Sequence, residues 1–254
     1  MTQIRKVSKT VVFKIPQEKI RRMIEINNET LGQTAEKVVC DLTGLDSSEF
    51  SHRSHPALEV RIKPIIQRAL LNLRPITKHV GLESGIRGGQ SKSTIDFYCG
   101  EKTLSVKTTK NRSFKLCPSE CGQPGAETFD MYFGHLYEGK INHQKCKTLV
   151  IHKIDKMMPI YLDHLFDCDY MLLVYVNSPN DGFHVYEKKS IPNMEWNINK
   201  FSFTRGLHDW NESTTIKYDD ISIAEFQLHQ HRNSYKFRFH ILNLSTVIEN
   251  IKIE

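Results

Sequence analysis

Apolar positions recur every three to four residues in the first third of the chain and every second residue in several later stretches, and that change of period lays out the elements. Ala35, Val38, Val39 and Leu42 form the stripe of a helix over Thr34–Leu42, with Glu36 beside the stripe and Gly44 as its stop. Leu58, Ile62, Ile66, Ala69 and Leu73 predict a longer helix, Ala57–Leu73, with Arg61, Lys63, Arg68 and Arg74 on its outer side. Pro64 should kink that helix or mark its true start, and Pro75 lies past its end. Before these, residues 4–14 read as an edge strand or arm, and Pro16 opens a helix carrying Ile20, Met23, Ile24 and Asn27. The polar stretch 46–56 reads as a loop.

Thr94–Tyr98 and Thr103–Thr108 predict two strands joined by a turn at Cys99–Gly100–Glu101. Pro118, Gly122, Pro124 and Gly125 mark a loop over Asn111–Glu127, and Thr128–Tyr137 suggests a short helix. Thr148–His152 reads as a short apolar strand and Lys156–Phe166 as a helix. Tyr170–Asn177 is the most apolar run and predicts a buried strand; Ser178–Gly182 is a turn and Phe183–Glu187 a further strand. Near the end, Tyr235, Phe237, Phe239 and Ile241 alternate with Lys236, Arg238 and His240, which predicts an amphipathic strand with a basic outer face. Its expected partner is Ile221–His229, across a turn at His231–Ser234. Ile223 and Phe226 break the alternation there, so a bulge is expected near Ala224.

Such an order predicts an α/β chain with a mixed central sheet. Its 254 residues fit a single domain with a helical part at 1–78, a core at 79–187 and a β-rich region at 188–254. Hydrophobic residues at 39% suffice for a core, and charged residues at 25% give no sign of global disorder. The net charge of +6 suits a phosphate-bearing partner without requiring one. Residues 1–30 lack an apolar run of secretory length, and no stretch approaches the roughly 18 apolar residues of a membrane span. The six cysteines are therefore expected to be reduced thiols in a cytoplasmic protein.

The hairpin carries the candidate chemistry. With a side-chain period of two, Asp96 points opposite Ile95 and Phe97, while Ser105 and Lys107 point opposite Leu104 and Val106. A carboxylate, a hydroxyl and an ammonium then share one polar face. An acid that can hold a divalent metal, next to a lysine that can meet a phosphate or a water, is a minimal site for phosphodiester cleavage. An ordinary hairpin with a solvated Asp and Lys has the same bare pattern.

Around that hairpin the chain resembles the PD-(D/E)xK nuclease superfamily, and type II restriction endonucleases in particular. The resemblance covers residues 32–125: the helix LGQTAEKVVCDLTG, the entry GGQSKSTIDF and the strand SVKTTK. The later stretch WNESTTIKYDDISIAEFQLHQHRNSYKFRF is similar to the same enzyme class. That family sets an Asp on one strand beside an acid-x-Lys triplet on the next. Here the triplet is Ser105-Val106-Lys107, without its usual acid, and Ile95 precedes Asp96 where the family often has Pro. The resemblance implies that Asp96 binds Mg²⁺ and that Lys107 orients water and neutralises the scissile phosphate. Ser105 would at best position water. The second metal carboxylate is either Glu36, matching a helix acid of many members, or Glu120, matching a subgroup whose acid is displaced about a dozen residues past a Ser-x-Lys triplet. Glu36 is preferred.

Other stretches qualify this picture. Gly88-Gly89-Gln90-Ser91-Lys92-Ser93-Thr94 is no nucleotide-binding loop, because Ser91 stands where the lysine should follow a glycine and the loop leads into a strand. Its glycines instead let backbone approach a DNA phosphate, with Arg87 and Lys92 supplying charge and Gln90 lining the groove or the site. Lys107, Lys110, Arg112 and Lys115 form a basic run that can track a DNA backbone. In the C-terminal region Arg205, His208, Asn211, Gln227, His229, Arg232, Lys236 and Arg238 are of the types that read base edges or hold phosphates. Cys117, Cys121, His143 and Cys146 are zinc-ligand types at a non-standard spacing and read as thiols and a loop. Trp196 and Trp210 read as core anchors.

The expectation is a restriction-endonuclease-like α/β domain: a mixed central sheet flanked by helices, followed by a β-rich C-terminal recognition region. Its activity would be Mg²⁺-dependent cleavage of double-stranded DNA at a short target, as a homodimer, with a cognate methyltransferase protecting the host. A structure-specific or repair nuclease of the same superfamily, or a catalytically dead DNA-binding protein, are the alternatives. No dimer surface is legible.

Overall fold

The computed structural model describes residues 26–80, 95–110, 114–176, 180–188, 194–229 and 234–248. The expected arm at 4–14, most of the helix opened by Pro16, the glycine-rich approach at 86–94 and the turn at 231–233 lie outside those residues. In chain order the elements are α1 (Asn28–Thr43), α2 (Pro56–Leu70), β1 (Lys78–His79), β2 (Phe97–Cys99), β3 (Lys102–Thr109) and β4 (Lys115–Leu116). They continue with α3 (Ala126–Phe133), α4 (His143–Leu165), β5 (Tyr170–Tyr175), β6 (Gly182–Glu187), β7 (Phe201–Phe203), β8 (Ser213–Tyr218), β9 (Ile221–His229), β10 (Ser234–His240) and α5 (Ile241–Val247).

Local chemistry sets the helix ends. The Asn27 side chain accepts from the Thr30 N–H at 2.7 Å and caps α1, so Asn27 closes off a helix start instead of continuing an earlier helix. Gly44, at φ 74°, ends α1 in the left-handed conformation that a glycine adopts without steric cost. Pro56 stands in the first turn of α2, where its fixed φ suits a start. Pro64 therefore lies inside α2; it sits on the exposed side with Val60, whose carbonyl can meet water.

The first sheet has the order β1-β2-β3-β5-β6, with β3 and β5 parallel and the other neighbours antiparallel. The β2–β3 hairpin pairs Cys99 with Lys102 across Gly100-Glu101, and Gly100 has φ 65°. Leu104, Val106, Leu172, Val174 and Val185 face the core made with α1 and α2. Met171, Leu173 and Tyr186 face a second core containing α4 and the other sheet. Strand β5 is thus covered on both sides, which is why its sequence is continuously apolar.

Two expectations fail between β3 and β5. Thr148–His152 is helical, part of the single element α4, whose second half is the predicted helix at 156–166. Its apolar run matches a strand in length. However, Leu149, Val150, Ile154, Met157, Met158, Tyr161, Leu162 and Leu165 are buried at helical spacing, and the Asn142 side chain caps the start. Backbone at Lys153 (φ −136°, ψ 15°) interrupts α4 midway. The stretch expected as loop at 111–127 contains β4, which pairs with the end of β10.

The second sheet is antiparallel, in the order β4-β10-β9-β8-β7. One face packs on α3 and α4, where Tyr161 and Phe237 stack with centroids 3.8 Å apart. Ile216 pairs with Ala224 and Lys217 with Ser222, so Ile223 is the extra residue of a bulge beside the expected position. Trp210 is fully buried and Trp196 nearly so, as core anchors.

Candidate active site

Helix α1 runs over β3, and the two rises keep step. Gly32 lies against Thr108, where a side chain's Cβ would stand 3.8 Å from the Thr108 Oγ1. One turn further along α1 advances about 6 Å, as do two residues back along β3. Glu36 therefore comes level with Val106, where Asp96 is tied in.

Asp96 precedes β2 and is held by the hairpin. Its backbone N–H donates to the Leu104 carbonyl at 3.0 Å, and its carbonyl accepts from Val80 N–H at 2.9 Å. One carboxylate oxygen accepts from the Val106 N–H at 2.6 Å and from Ser105 Oγ at 3.1 Å. Ser105 is only 2% exposed. The residue in the triplet's acid position is thus a donor: its hydroxyl orients the carboxylate of the neighbouring strand and is not itself an anionic ligand.

Burial pushes the Asp96 carboxyl up to about 6; the nearby Glu36 charge adds to that rise, and the Lys107 ammonium and the two hydrogen bonds oppose it. Lys107 also acts on the buried Cys168 thiol, which burial raises to about 11 against the pull of that ammonium. Glu36, with 24% of its side chain exposed, stands 3.6 Å from His79 Nε2, and His79 Nδ1 is 2.9 Å from Glu49. Burial lowers the His79 pKa, but Glu36, Glu49 and Asp96 together raise it overall. The structure therefore gathers Glu36, Asp96, Ser105 and Lys107, with His79 and Glu49 behind Glu36. No sequence period marks His79 or Glu49: one sits in a two-residue strand and the other in the short 3₁₀ turn Ser48–Phe50.

Glu120 stands elsewhere. It has φ 54°, its side chain is 59% exposed, and it accepts from the Tyr132 hydroxyl with His164 Nδ1 4.0 Å away. Its partners belong to α3 and α4.

Two carboxylates whose charges act on each other, with the Lys107 ammonium offsetting only part of that repulsion, suit a hard divalent ion such as Mg²⁺, which takes one or two carboxylates and completes its shell with water. Burial is the main cause of the raised Asp96 pKa and the Glu36 charge adds to it, so a bound cation would relieve the repulsion but not by itself the burial. Among the described residues no group of three or more His, Cys, Asp or Glu is arranged to hold a metal, so remaining oxygens would come from backbone, water or substrate. Zinc at Cys117, Cys121, His143 and Cys146 has no such arrangement either, and all six cysteines are free thiols.

Of the DNA-contact candidates, Arg87, Gln90, Lys92, Arg112 and Arg232 lie outside the described residues. Lys110 donates to the Ile26 carbonyl at the start of α1. Arg205, His208 and Asn211 are exposed in the connection between β7 and β8. Gln227, His229, Lys236 and Arg238 share the polar face of the second sheet, since Lys236 pairs with Gln227 and Ser234 with His229. Glu225, only 8% exposed, organises that face: it accepts from Lys115, from Arg238 Nη2 at 3.1 Å and from Gln227 Nε2 at 2.6 Å. Its alternation with Gln227 was visible in the sequence, but its partner on β4 was not.

The chain is similar to the type II restriction enzyme CviAII of Paramecium bursaria Chlorella virus 1. The two are 23% identical over 219 residues, which are 85% of this chain and 59% of that protein. The chain thus spans less than two thirds of the length of this curated relative. No protein-family model matches. No helix among the described residues is long and apolar enough to cross a membrane.

Proposed function

We propose that the chain is a site-specific endonuclease that hydrolyses phosphodiester bonds of double-stranded DNA with Mg²⁺, in the manner of a type II restriction enzyme of the PD-(D/E)xK superfamily. The observation that carries the reading is the gathering of Glu36, Asp96 and Lys107, with Ser105 turned into a donor toward Asp96. The similarity to CviAII supports the same reading.

In this reading Glu36 and Asp96 hold the cation, and Glu120 is set aside because it is engaged with Tyr132. When bound, Mg²⁺ supplies positive charge to the anionic transition state and acidifies water. Ser105 and the Val106 N–H keep the Asp96 carboxylate in one orientation. The Lys107 ammonium, which no hydrogen bond or ion pair ties down among the described residues, meets the scissile phosphate and orients the attacking water. The polar face of the second sheet lies on the duplex, with Gln227, His229, Lys236 and Arg238 reading bases or holding phosphates and the 205–211 connection reaching the backbone. A short symmetric target would ask for a two-fold dimer, since site symmetry mirrors protein symmetry, and a cognate methyltransferase would shield the host.

Digestion of DNA of known sequence with Mg²⁺ tests this, followed by sequencing of the ends. Discrete fragments sharing a short end sequence are expected. A smear would move the chain to the structure-specific or repair nucleases. Uncut but bound DNA under every divalent metal would make it a binding protein.

A further inference from the structure

Strand β1 is two residues long, yet it places an imidazole between two acids. The His79 ring lies between Phe50 and Phe97, with centroid distances of 5.3 and 4.8 Å. Its side chain is 11% exposed. Nδ1 is 2.9 Å from Glu49 Oε1, and on the far edge of the ring Nε2 is 3.6 Å from Glu36 Oε2. The backbone under the ring is fixed as well. His79 pairs with Phe97, and the next residue, Val80, donates to the Asp96 carbonyl. One register thus sets both the Asp96 backbone and the imidazole that meets Glu36.

Glu36 needs such support. It projects from α1 on three rotatable bonds, beside the core stripe and partly exposed, and an unsupported carboxylate would turn toward water and away from the negative charge of Asp96. A ring wedged between two aromatic rings and anchored at its other nitrogen cannot follow it outward.

We propose that His79, anchored by Glu49, is a positioning residue that holds the Glu36 carboxylate toward Asp96 and thereby sets the affinity for the divalent cation. The inference rests on the reading of Glu36 and Asp96 as the cation-holding pair. Outer partners that fix a metal-binding group contribute about 10- to 100-fold in affinity or rate.

The test uses H79F, which refills the space between Phe50 and Phe97 and removes both nitrogens, beside H79Q, which keeps one donor, and E49A. Mg²⁺ binding is measured calorimetrically on the whole chain without DNA, together with duplex binding without metal, melting temperature and cleavage rate against Mg²⁺ concentration. H79F should weaken Mg²⁺ binding by about tenfold or more and shift half-maximal cleavage to correspondingly higher Mg²⁺, with duplex binding and melting temperature near wild type. H79Q should fall between, and E49A should move in the same direction. Wild-type Mg²⁺ affinity in H79F, when E36Q has lost it, overturns the role of His79 alone. Wild-type Mg²⁺ affinity and cleavage in E36Q overturns the carboxylate pair, and the positioning role with it.

Discussion

Replacing Asp96 by asparagine should make the metal-free protein more stable while abolishing cleavage. The carboxyl titrates near 6 in the fold against an ordinary 3.8, because burial and the neighbouring Glu36 charge outweigh Lys107 and the two hydrogen bonds. Each pKa unit corresponds to about 1.4 kcal/mol, so holding Asp96 ionised costs the native state at most about 3 kcal/mol. An asparagine carbonyl can still accept from the Val106 N–H and Ser105 Oγ, so D96N removes the charge and keeps the geometry. The sign follows from proton linkage. A native pKa above the unfolded one means that the folded state binds more protons between the two values, so wild-type stability falls as pH rises from about 4 through 6. The cost is complete above about pH 6 and absent below the unfolded pKa. D96N should therefore exceed wild type by up to about 3 kcal/mol in chelator at pH 8, several degrees in melting temperature, and by almost nothing at pH 4. Urea unfolding at both pH values measures this. Equal stabilities at pH 8, or a gap that is the same at pH 4, would refute the assignment of strain to this charge. Added Mg²⁺ should stabilise wild type at pH 8 and leave D96N nearly unchanged, since a ligand that binds the native state shifts its stability by mass action.

Other consequences can be measured independently. K107A should lower the single-turnover cleavage rate by about 100-fold or more while duplex binding in a gel shift changes little, because one phosphate contact among many is lost but the charge facing the transition state is gone. S105A should be milder, about tenfold in rate, as one hydrogen bond to a carboxylate is lost while the Val106 N–H remains; a loss as large as that of K107A would give the hydroxyl a direct role. E225Q should destabilise the second sheet by about 1–3 kcal/mol in urea unfolding at pH 7, because Lys115 and Arg238 lose their shared counter-charge. Burial alone would raise the Glu225 pKa, but its Lys115, Arg238 and Gln227 contacts lower it, so this contribution is present above the ordinary glutamate range and fades below it, as pH falls through the lowered native pKa; the wild-type advantage over E225Q should shrink toward about pH 3 and below.

The period of apolar residues was enough to locate α1, α2, the β2–β3 hairpin, β5, β6 and the β9–β10 pair, because each of these buries one face, or both faces, in a regular repeat. It failed at Thr148–His152, where a short apolar run satisfies a strand and a buried helix equally, and only the core on α4 decides between them. At the site, the alternation of Asp96 with Phe97 and of Ser105 with Val106 placed the hairpin's polar groups on one side. That much is local geometry, since a strand's period of two holds wherever the strand sits. What those groups meet is not local. The Glu36 charge acts on Asp96 because α1 lies along β3, and His79 and Glu49 join Glu36 through a short strand and a 3₁₀ turn that no repeat announces. Lys115 finds Glu225 across 110 residues of chain. Sequence by itself set which residues share a face of one element. The packing of elements on one another, driven by the burial of those faces, decided which charges stand together, and a site built on paired charges exists only at that level.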